Sequence, residues 1–409
     1  MISSRTRAAS IRLLAPVAAA LVVSGAIVAP AVAETGPAGL DFYSPAPELV
    51  PGEHGSVIWT RPLTADPALP GARNYLVLYR SVDMQGRPVA VSGPLAVPEG
   101  EPPAGGWPLI SWAHGTTGTA DVCAPSRDTT AAFPAHDYTS LARETQARWV
   151  AAGYAVAQTD YQGLGTPGPH GYLIGEAEQR AVADMATAAR AVAPEIGTWW
   201  VAMGHSQGGQ AAVYANARSQ DWAPGMRLLG SVAMAPASHL GPVVRGLALI
   251  GRAGGAPGIV PSGSVAFLPL FVRGAETIAP IDPAKFLAPQ ALSMLAQADD
   301  RCIGQLRATD SWGGLDPGTV FTTNPEVGAL ADVLDANDPT SLPLTTPLLV
   351  QQGTADTVVL PIATDAMVAQ QRSAGEPVEY RTYPGVDHRD LLAAGYDDAL
   401  SWVNARFGR

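Results

Sequence analysis

The amino-acid sequence predicts an α/β fold with a mainly parallel central sheet flanked by helices. From residue 109 onward, short apolar segments alternate with longer segments in which apolar residues recur every three to four positions. Strands that alternate with helices in this way are typical of βαβ units and therefore of a parallel sheet. The 409-residue chain is also 47% hydrophobic and only 15% charged, which excludes intrinsic disorder and suffices for a large core.

The predicted elements begin with an antiparallel pair of strands. Residues 34–71, rich in proline and glycine, are expected to form an extended arm, and Asn74–Arg80 and Pro88–Val97 two strands joined by a turn. The later strands are predicted at Leu109–Trp112, Tyr154–Gln158, Trp199–Met203, Leu228–Met234, Pro347–Gln351 and Val378–Tyr383. The helices are predicted at Tyr138–Ala152, Glu176–Ala193, Gln207–Ser219, Ile362–Ala374 and Asp390–Arg406.

Residues 238–322 interrupt this alternation and are predicted to form a mostly helical cap, inserted between core segments 34–237 and 323–409. Within it, Ala253–Val272 is a run of 20 uncharged residues, long enough to suggest a membrane helix. Its prolines and glycines exclude a continuous helix. We expect helices instead around Pro289–Ala298; the alternative is a loop-rich extension of the core.

The first 33 residues have the three parts of a secretory signal peptide. Arg5, Arg7 and Arg12 form a positive segment, Leu13–Val28 is apolar, and the small residues 31–33 form a cleavage site. We therefore expect cleavage after Ala33 and a secreted protein. A membrane anchor is the alternative, disfavoured because the apolar run is short for a span and contains a proline.

Charge and cysteine content narrow the possible partners. The net charge is −11 and Lys285 is the only lysine, so no basic stripe is available for nucleic acid. Cys123 and Cys302 are the only cysteines, an even number that fits one disulfide in an exported protein; two buried thiols are the alternative. Neither has the neighbours of a metal ligand, so no metal site is predicted.

Residues 204–208 (GHSQG) match the G-x-S-x-G pattern of a serine nucleophile. The pattern lies between an apolar strand and a helix rich in small residues, where a strained turn would present the Ser206 hydroxyl above the sheet. Glycines on both sides are needed because such a turn crowds the neighbouring backbone. Ser206 is therefore the predicted nucleophile, the alternative being a chance match in a glycine-rich chain.

A serine needs a base and an acid that orients the base, and in α/β-hydrolases they follow in the order serine, acid, histidine. Only His239 and His388 follow Ser206. His388 lies in a loop after the last strand, whereas His239 leaves little room for an acid before it, so His388 is the predicted base. Asp356, directly after the 347–351 strand, is the predicted acid; its alternative role is a helix N-cap.

The negative charge that develops on the substrate needs N–H donors. One is predicted to be the backbone N–H of Gln207, and the other to come from Thr116 or Thr117 in the segment HGTTG, with Thr116 preferred. His114 is expected to support this loop. Asp160, after another strand, is expected to bond local backbone in a turn, or alternatively to contact substrate.

Taken together, these segments resemble the secretory lipase family of the Candida antarctica lipase A type. The matching pieces are SWAHGTTGTADVCAPS from Ser111, TDYQGLGTPG from Thr159, GHSQGGQAA from Gly204, PLLVQQGTADTVV from Pro347 and YPGVDH from Tyr383. The resemblance implies an α/β-hydrolase core with a cap, hydrolysis of carboxylic esters and no cofactor. It also implies a disulfide between Cys123 and Cys302 that joins the core to the cap.

The expected function is that of a secreted serine esterase or lipase, with a small-molecule or lipid ester as substrate and transient contact with a lipid interface. Acyl transfer, or cleavage of amides or aryl esters, would use the same residues, and an inactive binding protein is a remote alternative. Acyl chains are expected to contact apolar cap side chains, although ordinary core packing explains these residues equally well: Ile259, Val260, Phe267, Leu268, Leu270 and Phe271.

Overall fold

In the computed structural model, residues 1–2, 34–252 and 263–409 are described, and their strands form one nine-stranded sheet. The strands are β1 (Val57–Pro62), β2 (Ala72–Val82), β3 (Pro88–Pro98), β4 (Trp107–Ala113), β5 (Ala155–Thr159), β6 (Ile196–His205), β7 (Arg227–Met234), β8 (Leu348–Gly353) and β9 (Val378–Tyr383). Their order is β1-β2-β3-β5-β4-β6-β7-β8-β9. The β1–β2, β2–β3 and β3–β5 pairs are antiparallel, and every later pair is parallel. The antiparallel β2–β3 pair and the parallel remainder of the sheet agree with the prediction.

Helices cover both faces of this sheet. They are α1 (His136–Ala151), α2 (Gly175–Val192), α3 (Gln207–Trp222), α4 (Leu240–Arg252), α5 (Leu268–Glu276), α6 (Pro289–Met294), α7 (Ile303–Leu306), α8 (Gly328–Ala336), α9 (Pro361–Ser373), α10 (Leu391–Ala394) and α11 (Tyr396–Phe407). One core lies between the sheet and helices α2 and α3, and another between the sheet and helices α1, α10 and α11. Strand β4 is buried along its whole length because it contributes to both cores.

Two predicted elements differ from the structure. The arm at 34–71 contains strand β1, which pairs antiparallel with β2 at the edge of the sheet and ends at Pro62. A proline is tolerated there because an edge strand has a row of backbone groups without ladder partners. The single helix predicted at 390–406 is two helices that meet at Gly395, whose carbonyl accepts a hydrogen bond of 2.8 Å from the Gln351 side chain.

In the segment predicted as the cap, residues of α4, α5 and α6 share one hydrophobic cluster with Tyr172, Leu173, Ile174 and Ala177 of the preceding core segment. Helix α8 belongs to the same cluster and packs against α4 and α5, and Arg245 of α4 forms ion pairs with Asp332 and Asp335 of α8. Helix α8, which follows the predicted boundary at residue 322, therefore packs against helices of the segment predicted as the cap.

Some predictions fall on residues outside the described part of the chain. These are the signal peptide from residue 3 onward, its cleavage site, and the first half of the uncharged run, 253–262. Among the described helices, none has the length and hydropathy that a membrane span requires.

Candidate active site

Ser206 lies on a sharp turn between strand β6 and helix α3, at the edge of the sheet where the parallel strands end. Its backbone has φ 61° and ψ −119°, an unusual conformation for a residue other than glycine, as expected for a strained nucleophile turn. A Cβ atom on Gly204 would lie 2.1 Å from the carbonyl oxygen of Gly208, and one on Gly208 would lie 1.9 Å from that of Ala113. Both positions therefore require glycine.

His388 and Asp356 form a hydrogen-bonded pair in the loops that follow β9 and β8. The Nδ1–H group of His388 donates to Asp356 Oδ2 at 2.7 Å. The other carboxylate oxygen accepts the backbone N–H groups of Val358 and Val359 at 2.8 and 2.9 Å, and the carboxylate is buried. These bonds hold Asp356 so that Nε2 of His388 is left free as a base. The alternative role of Asp356 as a helix cap is not seen, since the N-cap of α9 is Leu360.

Ser206 and His388 line the same open cavity, which has a volume of about 210 Å³. The rest of its wall is formed by Thr116, Tyr138, Phe267, Ile303, Arg307, Thr357, Val358, Asp387 and Arg389. Between the described side chains of Ser206 and His388 there is no direct hydrogen bond. In free hydrolases this bond is often long and shortens when substrate binds.

The structure separates the two threonines of the HGTTG loop. Thr116 lines the cavity, and its hydroxyl shares a hydrogen bond of 2.7 Å with the Tyr172 hydroxyl. Thr117 is fully buried, and its carbonyl oxygen accepts the backbone N–H of Ile303 from the cap at 2.8 Å. Thr116 is therefore the better candidate for an oxyanion donor.

Gln207 is the first residue of helix α3, so its backbone N–H is one of those that the helix leaves without a partner. Its side chain points away into a buried polar cluster, where Nε2–H groups donate to Glu178 Oε1 at 2.7 Å and to Nε2 of His170 at 3.2 Å. Burial lowers the pKa of His170 to about 4 and raises the pKa of Glu178 to about 8. The two hydrogen bonds hold the Gln207 side chain in one orientation.

Sequence reasoning missed a second cluster, which joins the HGTTG loop to His388. The backbone N–H of Gly115 donates to the Tyr138 hydroxyl at 2.7 Å, and that hydroxyl lies 3.2 Å from His205 Nδ1. His205 Nε2–H in turn donates to the backbone oxygen of His388 at 2.8 Å. Burial and the nearby His388 lower the pKa of His205 far below its usual value, so the ring is neutral, as this pattern of donors requires. His205 is the first variable residue of the G-x-S-x-G motif, so the motif assigns it no role, and no sequence pattern distinguishes Tyr138.

Asp160 does not bond local backbone, nor does it line the cavity. Its carboxylate is buried and accepts hydrogen bonds from the Ser92 hydroxyl at 2.7 Å and from the backbone N–H and hydroxyl of Ser126. Burial raises its pKa to about 6. The expected local turn is therefore wrong, because this carboxylate links three separate segments. His114, as expected, supports its loop: it is buried, and Nδ1 lies 2.7 Å from the Gly115 oxygen.

Cys123 and Cys302 form the disulfide that the resemblance implies. Cys302 immediately precedes helix α7 of the cap, and it also pairs as an isolated bridge with Gly118 of the HGTTG loop. The cap is therefore fastened beside Thr116 by one covalent bond and by the hydrogen bond from Ile303 to Thr117.

The apolar cap residues expected to contact acyl chains divide into three groups. Phe267 lines the cavity, whereas Leu268, Leu270 and Phe271 are buried in the core of the cap, so ordinary packing explains them. Ile259 and Val260 lie outside the described residues. Among the described residues, no cluster of histidine, cysteine and acidic side chains could hold a metal ion.

Comparisons with known proteins agree with this geometry. The secretory lipase family model matches residues 139–260. Candida antarctica lipase A in its closed state superimposes with a TM-score of 0.71 at 18% identity, covering 90% of this chain and 85% of that chain. The rice cell wall degrading esterase LipA from Xanthomonas oryzae superimposes with a TM-score of 0.66 at 18% identity, covering 87% of this chain and 98% of that chain.

No curated protein sequence matches the chain. The family model nevertheless supports a hydrolase of lipids or other esters, and the disulfide fits an extracellular protein. The resemblance inferred from the motifs is confirmed: residues 139–260 match the secretory lipase family model, and the chain has the α/β-hydrolase fold of Candida antarctica lipase A.

Proposed function

We propose that this chain is a secreted serine hydrolase of carboxylic esters, in which Ser206 is the nucleophile. The observation that carries the proposal is the hydrogen bond between His388 and the buried Asp356, together with the position of His388 on the wall of the same cavity as Ser206. A serine hydroxyl is a weak nucleophile until a base takes its proton, and a carboxylate on Nδ1 holds the imidazole in the tautomer that can do so.

The reaction proceeds through an acyl-enzyme. Ser206 Oγ attacks the ester carbonyl carbon while His388 Nε2 takes the proton from this hydroxyl. The resulting tetrahedral oxyanion accepts hydrogen bonds from the backbone N–H of Gln207 and from the backbone N–H or the hydroxyl of Thr116. His388 then gives the proton to the departing alcohol. His388 then takes a proton from water, whose oxygen attacks the acyl carbon. As the bond between this carbon and Ser206 Oγ breaks, His388 returns the proton to Oγ, and the acid is released.

Secretion is part of the same proposal. Residues 1–33 have the composition of a signal peptide with cleavage after Ala33, and the Cys123–Cys302 disulfide requires an oxidising compartment.

Labelling of the purified mature protein with a fluorophosphonate tests the mechanism. We expect one label, on Ser206, and hydrolysis of p-nitrophenyl esters in a series from acetate to palmitate. Faster hydrolysis of the short-chain esters would indicate an esterase, and faster hydrolysis of the long-chain esters a lipase. Ser206→Ala should lose both labelling and hydrolysis. Ser373→Ala, at an exposed serine on α9, is the matched control. An unlabelled Ser206 in folded wild-type protein would overturn the proposal.

A further inference from the structure

Charged side chains form part of the wall of the cavity beside Ser206. Arg307, Arg389 and Asp387 line it together with Phe267 and Ile303. A neutral acyl chain gains binding free energy by contact with apolar surface. A charged side chain next to it loses water, and the acyl chain offers no hydrogen bond or opposite charge in return.

Two of the three charges have partners. Arg389 Nη1 lies 2.7 Å from the Asp137 carboxylate, and its guanidinium lies over the ring of Tyr138. Asp387 Oδ1 accepts the backbone N–H groups of Arg389 and Asp390 at 2.9 and 2.8 Å. These groups are therefore occupied in holding the loop that contains His388.

Arg307 forms no ion pair and donates no side-chain hydrogen bond to any described residue. The residues outside the described part, 3–33 and 253–262, contain neither aspartate nor glutamate, so they cannot supply a carboxylate. Partial burial and then the positive charge of Arg389 lower the pKa of Arg307, against a weaker opposing effect of Asp137. A guanidinium remains charged at any physiological pH. Arg307 is therefore an exposed cation on the cavity wall that has no ion-pair partner among the described residues.

The position of Arg307 is well defined. It directly follows helix α7, and its backbone N–H donates to the Ile303 oxygen at 2.9 Å. Ile303 is itself bonded to Thr117, and Cys302 is joined to Cys123. The backbone from which this side chain extends is thus fastened to the loop that contains Thr116.

We propose that the preferred ester carries an anionic group, a carboxylate or a phosphate, that binds Arg307 while the ester carbonyl lies at Ser206. This inference rests on the proposed ester hydrolysis and names its substrate class. A guanidinium presents paired donors that match the two oxygens of such a group. The rest of the protein is acidic, so Arg307 would act as a local site and not as part of a basic surface.

Three matched 4-nitrophenyl esters test this proposal. The 4-nitrophenyl monoester of glutaric acid has a free carboxylate, and the 4-nitrophenyl ester of monomethyl glutarate is its neutral analogue. The 4-nitrophenyl ester of 4-phosphonobutanoic acid carries a phosphonate in place of the carboxylate. We expect wild-type kcat/KM to be higher for at least one anionic ester than for the neutral one. The preferred anionic ester identifies the group that is recognised.

In Arg307→Gln, the anionic-to-neutral ratio of kcat/KM should fall at least tenfold, mainly through KM, and Arg307→Lys should restore part of it. Arg245→Gln, at an exposed arginine of the cap, is the control and should leave the ratio unchanged. Added salt should reduce the wild-type ratio. A ratio that is the same in wild type and Arg307→Gln would overturn the inference, whereas loss of all ester hydrolysis and of Ser206 labelling would instead overturn the proposed function.

Discussion

His205 Nε2 lies 2.8 Å from the backbone oxygen of His388, and the two rings lie 4.4 Å apart. The residue directly before the nucleophile therefore holds the backbone of the proposed base. Through Tyr138, His205 is also connected to the N–H of Gly115 in the HGTTG loop. One chain of buried hydrogen bonds thus relates the proposed base to the proposed oxyanion loop.

Removing the Tyr138 hydroxyl should interrupt this chain. In Tyr138→Phe, the buried N–H of Gly115 and Nδ1 of His205 both lose a partner, and a buried polar group without a partner costs about 1–3 kcal/mol. We expect kcat on p-nitrophenyl butyrate to fall roughly tenfold, which corresponds to about 1.4 kcal/mol. Tyr154→Phe is the matched control, since that hydroxyl bonds Asn404 away from the cavity. Equal kcat values in the two variants would contradict a positioning role.

The two threonines of the oxyanion loop should respond differently to valine. Thr116 faces the cavity, so Thr116→Val should lower kcat by about 10- to 100-fold if its hydroxyl contacts the oxyanion. Thr117 is buried and its hydroxyl has no partner among the described residues, so Thr117→Val should leave kcat unchanged and maintain or raise Tm. Steady-state kinetics and thermal unfolding of both variants distinguish them. A larger loss of kcat in Thr117→Val would reverse the assignment.

The disulfide should stabilise both the fold and the site. Cys123 and Cys302 are 179 residues apart, and the chain-entropy model assigns such a crosslink an upper value of roughly 4–5 kcal/mol. We expect the Cys123→Ser/Cys302→Ser double variant to unfold at a clearly lower temperature, and kcat to fall because the cap is less firmly held beside Thr116. Wild-type protein under reducing conditions should behave like the variant. An unchanged Tm and kcat in both experiments would contradict this.

The sequence predicted those parts of the fold and site that follow from local patterns. Strands such as β4 are buried on both faces and read as continuous apolar runs, and the order of strands and helices brings Ser206, Asp356 and His388 to one edge of the sheet. Strand β1 was missed because an edge strand that ends in proline has a weak pattern.

Contacts that depend on packing between distant segments could not be predicted. Tyr138 and His205 are 67 residues apart and meet only because helix α1 lies against the sheet beside β6. Thr116 and Thr117 are adjacent residues of the same type, so their sequence surroundings do not distinguish them. Only the course of the backbone decides which of them faces the cavity. The Arg307 side chain faces the cavity for a similar reason, since the disulfide places helix α7 there.

The buried Glu178 should make the stability of the protein depend on pH. Burial raises its pKa from the usual 4.5 to about 8, so the folded protein holds this proton more tightly than the unfolded chain does. The contribution of Glu178 to stability is therefore complete below pH 4.5 and is lost as the pH rises to about 8. The slope can reach about 1.4 kcal/mol per pH unit.

In Glu178→Gln, a neutral amide of the same shape can still accept the hydrogen bonds from Leu173 and Gln207. We expect the variant to gain stability relative to wild type as the pH rises from 5 to 8, as measured by urea unfolding at several pH values. Glu176→Gln, at an exposed glutamate on the same helix, should retain the wild-type dependence. If wild type and Glu178→Gln lost stability in parallel over this range, the carboxyl would not be the source. Because Glu178 bonds the side chain of Gln207, the same titration should also lower kcat in wild type above pH 8 more than in the variant.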